Sequence, residues 1–333
     1  MRFLKWVFFI ALLLTLVYMA GPYPATPEYR TQWPSLPAEP GALISDIKEK
    51  ESQHTLKPDN EARILWASDS LKQPTEYAIV YLHGFSASQA EGDPVHKNIA
   101  REFGCNLYLS RLAGHGIDTV DALSGLTAEQ YWESATRALA IGNRLGKKVI
   151  LMATSAGGAL ALKLAATYPD KISGLILLSP CIAINDPAAF LLNNHWGLQL
   201  AQWVLHSKYV DSKDLRPINR QYWYTHYRVE GAAALQEFLE TSMNQETFAR
   251  VKQPTDLLYY YKDEIHQDST VKVSAMLHMF DQLGTPGDLK RKKAMPEAGT
   301  HVIGSYIRSG DVQGVQQEIE KFLTGVMKLS PVH

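Results

Sequence analysis

Ser155 stands where a serine can become a nucleophile. An apolar run at 148–153 precedes it, Ala156, Gly157 and Gly158 follow it, and helix formers continue through 159–167. Strand, tight turn and helix in that order make a nucleophile elbow, which strains the serine backbone and lifts the hydroxyl above the strand end. Strand and helix nearly touch there, so small residues are needed on both sides, and Ala153, Ala156, Gly157 and Gly158 supply them. The usual pattern is Gly-X-Ser-X-Gly. Here Ala153 holds the first position, one methyl larger than the pattern asks. The alternative role of Ser155 is to cap a helix start, but the strand before it favours the nucleophile.

A serine hydroxyl is a poor nucleophile at neutral pH, so it needs a histidine base and an acid that orients the imidazole. Both follow the serine in chains that use this elbow. Of the later histidines, His278 falls in an apolar helical pattern and His333 at the C-terminal end of the sequence. His301, after Gly299 and Thr300, lies between the last strand candidate and an amphipathic helix at 312–323, so its loop returns to the carboxyl edge of the sheet. The acid is expected at Asp263, just past the strand that ends in Tyr259, Tyr260 and Tyr261. Glu264 and Asp268 compete from the same loop, whereas Asp256 sits at the strand's beginning. An oxyanion also needs donors. The turn His83-Gly84-Phe85 after the strand at 77–82 can present the N–H of Phe85 beside that of Ala156. His83 is read as a turn organiser and Gly114-His115-Gly116 as loop architecture.

Positioning these residues takes a layered α/β body. Strands are expected at 62–67, 77–82, 106–110, 148–153, 172–178, 255–261 and 292–295, alternating with helical patterns, as in a mostly parallel sheet covered by helices on both faces. Residues 181–254 break the alternation and read as an inserted helical cap. Trp196, Trp203, Trp223, Tyr222, Tyr224 and Tyr227 lie in it, either packed together or lining a substrate pocket.

In order and spacing, His83-Gly84, Gly114-His115-Gly116, the Ser155 elbow and Gly299-Thr300-His301 resemble the α/β-hydrolase superfamily over 62–323, and within it the monoacylglycerol lipase and lysophospholipase-like branch. The resemblance implies a Ser155, Asp263 and His301 triad, an oxyanion hole at Phe85 and Ala156, no cofactor or metal, and hydrolysis through an acyl-enzyme. The substrate expected is a carboxylic ester, such as an acylglycerol or a lysophospholipid. A thioesterase or amidase would use the same triad, and a noncatalytic binding protein could keep the fold.

Composition excludes other classes. In 333 residues, 33 Lys and Arg face 34 Asp and Glu, a formal charge of −1, which leaves no global footprint for nucleic acid. With 46% apolar and 20% charged residues the chain reads as folded rather than disordered. Cys105 and Cys181 have neither the spacing nor the neighbours of a metal site.

The N-terminus differs from the body. Arg2 and Lys5 precede an apolar run at 6–20 whose one clearly polar residue is Thr15. The bulky Tyr18 before Ala20 argues against signal-peptide cleavage, so residues 1–21 are expected to remain as a membrane anchor, with the body on the non-cytoplasmic side. Cleavage would instead export the body. Residues 22–43, rich in proline, read as an extended stalk holding the body off the bilayer, and 44–180 with 255–333 as the catalytic core. The basic run Lys290, Arg291, Lys292 and Lys293 is expected as a solvated loop or a contact for anionic lipid headgroups.

Overall fold

The runs Thr75–Leu82, Gly146–Thr154, Gly174–Leu178 and Thr255–Tyr259 lie side by side at the centre of one sheet, so both faces of each need apolar side chains. A computed structural model describes residues 2–332. Its first half comprises α1 (Arg2–Met19), α2 (Pro40–Glu51), β1 (Arg63–Leu65), β2 (Thr75–Leu82), α3 (Val95–Glu102), β3 (Asn106–Leu109), α4 (Ala128–Leu145), β4 (Gly146–Thr154), α5 (Ala156–Thr167) and β5 (Gly174–Leu178). Next come α6 (Gly197–Leu205), β6 (Tyr209–Asp211), α7 (Pro217–Tyr222), β7 (His226–Arg228), α8 (Val229–Ser242) and α9 (Gln245–Arg250). The chain ends with β8 (Thr255–Tyr259), α10 (Val273–Gln282), β9 (Lys290–Ala294) and α11 (Val312–Gly325).

The seven-stranded sheet has the order β1-β3-β2-β4-β5-β8-β9, parallel except for β1, which pairs antiparallel with β3. Alternate side chains feed two cores. Ala78, Val80 and Leu82 of β2 join Leu151 and Ala153 of β4 on one face, while Ile79 and Tyr81 join Ile150 and Met152 on the other. Each of the seven runs read as strands from the sequence overlaps one strand of this sheet. Cys105 and Cys181 are buried in opposite cores as free thiols, both pushed up to about 12 by burial.

Three expectations need correction. The basic run is a strand, not a loop: it forms β9 at the sheet edge, where charged residues discourage pairing with another chain. Three of its four charges are also engaged within the molecule. The Lys290 ammonium donates to the carbonyls of Phe280 (2.9 Å) and Leu283 (3.3 Å), Arg291 pairs with Glu318 and with Asp256 (3.0 Å), and Lys292 pairs with Asp281 (3.0 Å).

The proline-rich segment is extended but is no free stalk. Apolar residues between its prolines dock it on the body: Leu36 is buried, Tyr29 and Trp33 pack on Trp132 and Tyr168, and the Trp132 indole donates to the Arg30 carbonyl (2.8 Å). Helix α2 starts within it at Pro40, whose fixed φ suits a first helical position.

The inserted segment, read as strandless, carries a small antiparallel ribbon of β6 and β7. Its last helix, α9, packs on α5 and α10, two helices of the core.

Candidate active site

The elbow follows from local sequence. Strand β4 ends at Thr154, whose hydroxyl bonds to that of Tyr81 (2.8 Å), and α5 starts at Ala156. Between them Ser155 has φ 52° and ψ −121°, a backbone state that costs about 1–3 kcal/mol and must be held by its surroundings. They hold it on both sides. The Ser155 N–H donates to the Leu178 carbonyl (3.0 Å), and the Ser155 carbonyl accepts from Gly158 (2.8 Å) and Cys181 (2.8 Å). A methyl on Gly157 would overlap the Leu82 carbonyl, and one on Gly158 would come within 2.6 Å of Pro180 Cβ. Ala153, where the usual pattern has glycine, is fully buried in the same core as Ala156, so its methyl is accommodated.

Asp268, not Asp263, partners the histidine. His301 Nδ1 donates to Asp268 Oδ2 at 2.6 Å, and the Asp268 side chain is fully buried. Its other oxygen accepts the N–H groups of Thr270 (2.8 Å) and Val271 (3.1 Å), which fix the carboxylate in place. Because a carboxylate can only accept, Nδ1 carries a ring proton, and in the neutral imidazole it is Nε2 that holds the lone pair. That Nε2 is buried and has no hydrogen-bond partner among the described residues. Asp263 lies instead at the exposed tip of a turn closed by the Lys262 N–H on the His266 carbonyl (2.9 Å). It accepts from His266 Nδ1 and from the backbone of Ile265 and His266, and these hydrogen bonds, His266 foremost, hold its carboxyl below the usual range. The chain needs the intervening residues to bring an acid back beneath the sheet edge.

The turn after β2 lies over the serine, since a methyl on Gly84 would sit 2.9 Å from Ser155 Cβ. The N–H groups of Phe85 and Ala156 donate to no group among the described residues and are free to receive an oxygen. His83 and His115 brace this turn as neutral rings. Leu112 N–H donates to His83 Nε2 (3.1 Å) and Ser86 N–H to His115 Nε2 (3.0 Å), while the opposite nitrogens donate to the carbonyls of Gly84 (2.9 Å) and Ala113 (2.8 Å). Burial holds His83 well below the usual imidazole range and His115 at about 4.

Glu91, which the sequence reading did not single out, is buried in the same wall and accepts the Gly84 N–H. Burial raises its carboxyl to about 7, against the lowering effects of that N–H and of the nearby His301 and Arg308. Arg308 lies over the Trp223 ring at 4.6 Å and donates to the Asn219 side chain.

Ser155, Phe85, Glu91, His301 and Arg308 share one cavity of about 990 Å³, whose roof comes from the inserted segment through Leu200, Val204, Trp223 and Tyr227. Asp263 does not line it. A second cleft, about 870 Å³, runs between α2 and α4 but contains neither Ser155 nor His301, and its Arg111 is paired with Glu51 (2.7 Å) and its Arg137 with Asp46.

The model of a hydrolase family described as serine aminopeptidase, S33 (Hydrolase_4), matches residues 73–285. The chain belongs to this family. This α/β-hydrolase shares its fold with one of two metagenome-derived lipolytic enzymes, LipS and LipT, at 16% identity and TM-score 0.64, over 81% of this chain and 100% of that one. It also resembles a monoacylglycerol lipase of Paleococcus ferrophilus (15%, TM-score 0.56, 79% and 98%) and Est1E of Butyrivibrio proteoclasticus with ferulic acid bound (15%, TM-score 0.54, 80% and 95%). No curated protein matches the chain. At these identities the structures speak for the α/β-hydrolase fold, and the chemistry rests on this chain's own residues.

Proposed function

We propose that the chain is a membrane-tethered serine hydrolase of carboxylic esters with lipid-like acyl groups, the acylglycerols and lysophospholipids foremost. The observation that carries the reading is the buried Asp268–His301 pair, whose Nε2 has a lone pair and no partner in a cavity shared with the strained Ser155. In this reading Ser155 Oγ attacks the carbonyl carbon and its proton passes to His301 Nε2. Asp268 stabilises the imidazolium, and the N–H groups of Phe85 and Ala156 hold the developing oxyanion. His301 returns the proton to the leaving alcohol, and water then releases the acid from the acyl-enzyme by the same route. The cap's apolar side chains would take the acyl chain. Arg2 and Lys5 at the start of α1, and the apolar run that fills the rest of the helix, support a body on the non-cytoplasmic side.

A fluorophosphonate probe tests the mechanism. The native chain is expected to label and Ser155→Ala to lose both label and ester hydrolysis, while equal labelling of the variant overturns it. Amide cleavage is the second reading, favoured by the description of the family as serine aminopeptidase and by Glu91 in the cavity wall, whose carboxyl would ionise on receiving a substrate ammonium. Faster turnover of an aminoacyl amide than of a medium-chain acylglycerol would favour it.

A further inference from the structure

The large apolar side chains left in water are unevenly spread. Away from α1, most gather on the inserted segment and its rim: Phe190 (54% exposed), Leu191, Leu200, Trp203 (71%), Val204, Leu205, Leu215 and Ile265. Elsewhere they stand singly, as Leu71 does in the turn before β2. Contiguous apolar surface of this kind marks a place where something binds.

The same region is tied to the end of α1. Trp196, the residue before α6, donates its backbone N–H to the Pro22 carbonyl (2.9 Å) and its indole N–H to the Val17 carbonyl (2.9 Å). His195 Nδ1 donates to the Gly21 carbonyl (2.9 Å), with the rings of Tyr18 and Tyr23 at 5.2 and 4.9 Å from the imidazole. Gly21 has to be glycine there, because a methyl would overlap the Trp196 indole. Helix α1 has 18 residues, a hydropathy of 1.8 and no buried residue, and at 1.5 Å per residue it is about 27 Å long, close to the ~30 Å of a hydrocarbon core. Starting from Trp196, the nine residues of α6 reach only about 14 Å from this junction. The segment after α1 is docked on the body, so nothing holds the body at a distance.

We propose that the exposed face of α6, with Phe190 beside it, rests in the interfacial layer of the bilayer crossed by α1, so that the cavity mouth opens onto lipid. Leu200, Val204 and Leu205 belong both to this face and to the cavity lining, which makes the surface continuous with the route to Ser155. A long-chain substrate then reaches the serine without leaving the membrane. The inference rests on reading α1 as an anchor.

Full-length protein in liposomes tests it. Cys105 and Cys181 are buried, so a fluorophore directed to thiols reports only an introduced cysteine. Three sites are compared: Trp203→Cys on α6, Leu71→Cys away from the patch and Leu12→Cys within α1. Brominated phospholipid is expected to quench the label at 203 at least fivefold more than at 71, and to quench the label at 12. Quenching at 12 with none at 203 overturns the proposal and leaves the anchor standing. No quenching at 12 overturns both. A blue-shifted label at 203 that lipid does not quench means that protein covers the patch, and also overturns it.

Activity gives a second readout. In Phe190→Glu/Trp203→Glu, whose side chains do not line the cavity, kcat/KM for a bilayer-embedded long-chain monoacylglycerol is expected to fall tenfold or more, while that for a soluble butyrate ester stays within twofold. Equal loss on both substrates, or loss on neither, overturns the proposal. If the parent chain cleaves neither ester, the ester reading falls and the label depths alone decide this one.

Discussion

Two aspartate–histidine pairs involve the loop after β8, and they differ chiefly in their contact with water. Asp263 and His266 meet at an exposed tip, with half or more of each side chain accessible, at 2.9 Å. Asp268 and His301 meet at 2.6 Å with the carboxylate fully enclosed and the imidazole nearly so. The first pair joins near neighbours in sequence and stabilises a turn. The second joins two loops across the edge of the sheet and leaves one imidazole nitrogen facing a cavity. The same two residue types do different work because burial strengthens the electrostatic bond and gives its geometry a consequence beyond the pair.

The sharpest way to break this comparison is to neutralise each acid in turn. Asp268→Asn is expected to lower kcat/KM for an ester by about 10⁴-fold with the fold intact, because an amide no longer fixes the tautomer with Nε2 unprotonated. A loss below tenfold, measured in detergent on a soluble ester, would return the acid's role to another residue.

Glu91 sharpens the comparison from a third side, as a carboxyl equally buried but paired with no histidine. Its ordinary value of 4.5 is raised to about 7 by burial, so the folded state favours the protonated form. The stability it contributes is present below about pH 4.5 and is lost as pH rises through about 7. That loss amounts to about 3 kcal/mol. Glu91→Gln, which can still accept the Gly84 N–H, is expected to remove it. Denaturant titrations of both proteins at pH 5 and pH 8 measure the difference, and parallel losses would rule out this role for Glu91. The smallest effect belongs to the exposed pair. Asp263→Ala is expected to change kcat/KM less than threefold and to leave the denaturation midpoint close to that of the parent, as read by initial rates and the same titrations.

This contrast also explains what could be read from the chain alone. Ser155 was legible because an elbow is local: an apolar strand, small residues and a helix start all fall within twenty residues. His301 was legible from its place between the last strand and the last helix. The acid was not, because Asp263 and Asp268 both accept the backbone N–H groups two and three residues on, and short-range sequence cannot tell them apart. What separates them is that the chain after Asp268 returns to the body, where Val271 pairs with Ile184. Glu91 gave no signal, since its burial depends on the Gly84 turn folding over it. The central strands were legible through their unbroken apolar runs, whereas the ribbon of β6 and β7 has three residues per strand and little burial to mark it.

The two neutral histidines that brace the Phe85 turn give the molecule an acid fuse. His115, held at about 4 by burial, is protonated more readily in the unfolded chain, so its contribution to stability is present above about pH 6.5 and drains away as pH falls toward 4. A proton on Nε2 of either ring would also confront a backbone N–H with another donor. Acid is therefore expected to loosen the Phe85 turn before the sheet. Amide hydrogen exchange at pH 4.5 would register this as faster exchange at Ser86 and Leu112 than in the strands β2 and β4. A turn braced this way is expected to stay ordered near neutral pH and to lose that order as the medium acidifies.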